Sequence, residues 1–148
     1  MLTIKGLGPL SLVLAMLSTV PVAAQGYRAV NKLQVVPLNG GAFEVIEARG
    51  EGARGIWCAA ADYVLARSGG GNGKRLYVKD PRGPAVTAPG RKGVTFTTNP
   101  AALGSAPTQS LSITVNTPGV GLPVNHAVQF CRDYQIELDD ILFRRLGK

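Results

Sequence analysis

The stretch RGIWCAAADYVLARSGGGNGKRLYV, residues 54–78, decides the fold. Its first part, 56–67, predicts a helix. Alanine is the strongest helix former. Ile56, Ala60, Tyr63 and Val64 recur at three- and four-residue spacings, as do Trp57, Ala61 and Leu65. Arg67 falls in the last turn, where a cation suits the helix dipole. Ser68-Gly69-Gly70 is a helix stop. Residues 74–80, KRLYVKD, then read as a strand. This order argues against a phosphate cradle in SGGGNGK. Such a loop reads Gly-x4-Gly-Lys-Ser/Thr, with a strand before it and a helix after it. Here Ser68 stands at the first glycine position, Arg75 at the final hydroxyl, and the helix comes first.

Upstream, 27–37 predicts a first strand, LNGG at 38–41 a tight turn, and AFEVIEA at 42–48 a second strand. RGEGARG, 49–55, is a flexible connection. Downstream, PRGPAVTAPGRKG at 81–93 reads as a long loop with three prolines, and VTFTT at 94–98 as a strand. QSLSITVN, 109–116, alternates Leu111, Ile113 and Val115 with Ser112 and Thr114, the pattern of a half-buried strand. TPGVGLP, 117–123, is a turn-rich link. VNHAVQFCRDY, 124–134, fits either period. Period two puts His126, Val128 and Phe130 together, and period 3.6 gathers Val124, Ala127, Val128 and Cys131. The β-rich context favours a strand. The tail is a short helix capped near Asp139 or an extended arm. The resulting class is α+β: a small antiparallel sheet with one helix packed on it.

The first 24 residues predict a signal peptide. Lys5 supplies the positive start, Pro9 to Leu17 an apolar core, and Val22-Ala23-Ala24 the small residues of a cleavage site after Ala24. Gly6, Gly8, Pro9 and Pro21 interrupt it as a membrane span. Cleavage would leave residues 25–148 as one secreted globular domain, periplasmic or released. Neither methionine, Met1 nor Met16, would remain. Lys5 is the only charge removed, so the formal net charge falls by one from +7.

Two cysteines in an exported chain predict a disulfide, Cys58–Cys131. In the chain-entropy treatment, closing a loop of this length stabilises by roughly 4 kcal/mol. The bridge would staple the helix to the sheet, with Trp57 packed beside the joint. A thiol enzyme would instead need Cys58 free and the single histidine, His126, as its base. There is no Cys-x-x-Cys, and two cysteines with one histidine fall short of a zinc set at any familiar spacing. Ser68, Ser105, Ser110 and Ser112 lie outside any Gly-x-Ser-x-Gly elbow. Glu44 and Glu47 fall on opposite strand faces. Asp139 and Asp140 read as caps, and Asp62 as solvated or paired with an arginine. No cofactor is expected.

Basic segments are the remaining lead. Lys79, Arg82, Arg91 and Lys92 surround the glycine- and proline-rich 81–93 segment, and Arg144, Arg145 and Lys148 end the chain. Charged loops on a rigid scaffold are common binding surfaces. Nucleic acid is the default partner for such charge in the cytosol, but is not expected for an exported chain. There, an acidic protein patch or an anionic envelope surface fits better. Three segments, GIWCAAADY, TAPGRKGVTFTT and HAVQFCRDY, together resemble a family of small exported alphaproteobacterial proteins of unassigned function. The resemblance implies a structural role for both cysteine segments and brings no established function with it. The expected function is a non-enzymatic periplasmic binding module that uses the basic loop. The alternatives are an assembly factor or inhibitor docking through Trp57 and the apolar tail, and a thiol or hydrolytic enzyme using Cys58 and His126.

Overall fold

A computed structural model describes residues 26–108 and 110–146. The predicted signal peptide lies outside the described residues. Six antiparallel strands form one sheet in the order β1-β2-β3-β5-β4-β6. They are β1 (Tyr27–Arg28), β2 (Gln34–Pro37), β3 (Phe43–Ile46), β4 (Arg75–Pro84), β5 (Lys92–Thr97) and β6 (Gly121–Pro123). Helix α1 (Gly52–Ser68) crosses between β3 and β4. Helices α2 (Val124–Ala127) and α3 (Gln129–Leu146) end the chain.

The register sorts the side chains of the sheet into two faces. Tyr27, Val35, Val45 and Val94 stand in one cross-strand row, and Phe43, Phe96 and Val78 in another. These rows face α1. Phe43 meets Tyr63 at 4.6 Å between ring centroids, and Phe96 takes the edge of Trp57 at 4.9 Å. From Gly55 to Ala61 every residue of α1 is buried. The alanines leave room for neighbours on both sides of the helix. The sheet covers one side. The disulfide joins the other side to α3, where Arg54 pairs with Asp133 and stacks over Phe130. Gly69, left-handed at φ 66°, ends α1 as its sequence requires.

The α+β class stands, and so does the β2–β3 hairpin around Asn39-Gly40. Several elements differ from expectation. The 27–37 segment is two strands, not one. Buried Asn31 donates from Nδ2 to the Gly55 carbonyl at 2.7 Å, and its Oδ1 accepts from Leu33 N. Ala29 N donates to the Leu33 carbonyl and Lys32 N to the Ala29 carbonyl, which turns the chain between the two strands. The predicted 81–93 loop joins the sheet at both ends, and only 85–91 connect the strands. β4 runs on through Pro81 to Pro84 because two register shifts, at 78–80 and 80–83, absorb the extra residues. Proline is tolerated at such bulges.

Residues 109–116 form no strand among the described residues. The hydroxyl oxygens of Ser110, Ser112 and Thr114 accept the backbone N–H two residues on, at 3.0, 3.1 and 3.2 Å. The N–H groups that a ladder would use are taken locally. Leu111 is 94 % exposed, and only Val115 is buried. Residues 124–134 are helical rather than extended. Val124, Ala127 and Cys131 are the buried set, the 3.6-residue period of the same stretch. The disulfide therefore staples helix to helix, not helix to sheet. The tail is helical to Leu146.

Candidate functional site

The two cysteines form a disulfide with Cα atoms 5.0 Å apart. Cys58 is fully buried on α1, while His126 is exposed on α2, beside Phe130. The bonded sulfur is no nucleophile, so the Cys58–His126 pair lacks its thiol. Trp57 is also fully buried, and its Nε1 donates to the Ile113 carbonyl at 2.8 Å. It packs in the core as expected, but it presents no surface for docking. What the apolar-tail alternative retains is α3, where Ile136, Leu142, Phe143 and Leu146 are each more than half exposed.

The four basic residues of the expected contact surface are placed by β4, β5 and the hairpin loop between them. Lys79 sits at the first register shift of β4 and Arg82 at the second. Bulges re-aim side chains, and Arg82 is turned onto Glu47. Its Nε and Nη2 donate to the two carboxylate oxygens at 2.7 and 2.6 Å. Those bonds hold the Glu47 carboxyl below its usual range and push the Arg82 guanidinium up. Arg91 Nη2 donates to the Glu47 backbone carbonyl at 2.9 Å. Arg82, Arg91 and Lys92 then border one open cavity of about 380 Å³, together with Pro84 and Asn116. Lys79 does not border it. Glu47 offsets one of the three charges.

Sequence reasoning missed a second basic cavity. Arg91 also borders it, with Arg28, Lys32 and Arg49. These residues come from β1, the β1–β2 turn, the chain that leaves β3 and the hairpin loop. No spacing in the chain relates them. The only local signals were the turn-forming Asn31-Lys32 and Arg49-Gly50 pairs.

The acidic candidates are occupied structurally. Glu44 is buried on the sheet face away from α1. Its oxygens accept from Val86 N and Thr87 N, both at 2.8 Å, and from Thr87 Oγ1 at 2.6 Å. They pin the β4–β5 loop to the sheet. Asp62 is not paired with an arginine. It accepts from the Tyr27 hydroxyl at 2.8 Å and Val30 N at 2.9 Å. Burial, and then Asp62, push the Tyr27 hydroxyl up to about 12. Asp140 pairs with Arg144 one turn on, at 3.0 Å. Among the described residues no three His, Cys, Asp or Glu side chains gather to hold a metal ion, and no helix is long and apolar enough to cross a membrane.

No protein-family model, curated protein or solved structure matches the chain.

Proposed function

We propose that the protein is a non-enzymatic binding module of an oxidising compartment, exported after cleavage near Ala24, that contacts an acidic protein or anionic envelope surface. Arg82, Arg91 and Lys92 form the centre of the contact, with Lys79 at its margin. The observation that carries this reading is the convergence of three cations on one open cavity against a single carboxylate, Glu47. Glu47 orients Arg82 and Arg91, which lowers the ordering cost of a contact. A buried disulfide agrees with export. The test is binding to envelope fractions at increasing salt, for the natural chain and for Lys79→Gln/Arg91→Gln/Lys92→Gln. Binding should weaken with salt and fall at least tenfold in the variant. Unchanged binding in the variant refutes the contact. Intact mass checks export: a chain starting at Gln25 that takes two thiol labels only after reduction.

The exposed apolar residues of α3 favour a second reading, an assembly factor or inhibitor whose tail docks in a partner's apolar groove. Removing 136–148 should then abolish complex formation and leave the thermal transition of the body in place.

A further inference from the structure

Arg28, Gln34 and Ile46 lie side by side across β1, β2 and β3, on the sheet face away from α1. The β1–β2 turn brings Lys32 to the same place, the chain leaving β3 brings Arg49, and the hairpin loop brings Arg91. These six border a cavity of about 380 Å³, the size range of small-molecule sites. Buried Ile46 is its apolar floor. Four of the six are cationic, and no carboxylate borders the cavity. Among the described residues Arg28, Lys32 and Arg49 have no ion-pair partner. Arg91 is held by a neutral carbonyl, which orients its guanidinium without offsetting its charge.

The backbone adds an independent observation. Lys32 and Arg49 are the two non-glycine residues with left-handed φ among the described residues, at 69° and 61°. Glycine or asparagine would hold either turn with less strain. Two long cations in that conformation, both bordering one cavity, point to a use for the side chains beyond the turn itself. Four crowded cations repel one another, and a dianion relieves that repulsion more than a monoanion does. Guanidinium forks match the oxygens of a phosphoryl group.

We propose that the cavity bordered by Arg28, Lys32, Arg49 and Arg91 binds a phosphate monoester, carried by a small molecule or a phosphomonoester lipid headgroup. The site goes beyond the contact proposed above. Three of its cations lie outside that contact, and only Arg91 is shared.

The experiment is titration of the chain from Gln25 onward with glycerol 3-phosphate, and with sulfate at matched ionic strength, by calorimetry and amide NMR. Glycerol 3-phosphate should bind saturably at pH 7.5 and shift amides in 26–34 and 46–49. Its affinity should fall several-fold at pH 5, because the second phosphate proton binds near pH 6. Sulfate should bind more weakly at pH 7.5 and show no such loss. Lys32→Asn/Arg49→Asn suits the left-handed turns and should weaken binding at least tenfold. Arg144→Gln loses charge on α3 and should bind as the natural chain does. Vesicles containing phosphatidic acid separate the sources. Capture of the chain by them, lost in the double variant, assigns a lipid headgroup, and binding of glycerol 3-phosphate alone assigns a free molecule. No saturable binding of either probe overturns the site. So does a double variant that binds normally, or an equal loss in Arg144→Gln. The double variant keeps Arg82 and Lys92, so its envelope binding tests the other contact separately.

Discussion

The two faces of the sheet are built by different physics. The face under α1 is apolar, and its rows, Tyr27-Val35-Val45-Val94 and Phe43-Phe96-Val78, bury against Trp57 and Tyr63. The opposite face carries Arg28, Gln34, Glu44, Ile46 and Thr95. At one end a carboxylate pins a loop over it, and at the other the cationic cavity stays open. One face gains by excluding water, which is non-directional and tolerant of detail. The other depends on hydrogen bonds with specific partners, and its open end keeps charged groups available. Structure is concentrated on the first face, and the cavity of Arg28, Lys32, Arg49 and Arg91 opens on the second.

The largest break in that contrast should come from the apolar face. Phe96→Ala opens a cavity between Trp57 and Phe43 and should cost about 3–5 kcal/mol, read from urea unfolding. A value under 1 kcal/mol would mean that this face is not the main core. On the other face, Glu44→Gln keeps the volume but turns an amide donor towards one of the two N–H groups of the loop. A loss of about 1–3 kcal/mol is expected, with faster hydrogen exchange at Val86 and Thr87 while α1 amides stay protected. Uniform loss of protection would show that the loop is not separately pinned.

Two pH tests sharpen the comparison further. Glu47 has a lowered carboxyl in the folded chain. Its pairing with Arg82 should stabilise above the ordinary carboxylate range and be lost as pH falls through the lowered folded value. Arg82→Gln should flatten that acid-side slope, and moderate salt should do so partly. The smallest effect belongs to Tyr27. Its hydroxyl is pushed up to about 12 from an unfolded value near 10. Its contribution is whole below pH 10 and is lost as pH rises towards 12. Tyr27→Phe should remove that alkaline decline, and ultraviolet titration should lose a tyrosine step near pH 12.

The candidate binding residues were legible only in part. Arg82, Arg91 and Lys92 stood together in the chain and meet around one cavity. Lys79 lay near them in sequence but a bulge sets it aside. Arg28, Lys32 and Arg49 were invisible as a group, because strand register brings them together and local spacing does not.

The sequence by itself determined what local physics controls: α1 with its glycine stop, the β2–β3 hairpin, and the cysteine pair. Alanine propensity, a left-handed glycine and an Asn-Gly turn act over a few residues. Tertiary structure decided the rest. Segment 124–134 fitted two periods, and packing of Val124, Ala127 and Cys131 against α1 selected the helix. Segment 109–116 alternated like a strand, but its hydroxyls took the N–H groups a neighbour would need, and its Ile113 carbonyl went to Trp57. Which backbone group bonds to which partner depends on what the rest of the chain brings near, and a one-dimensional pattern does not carry that information.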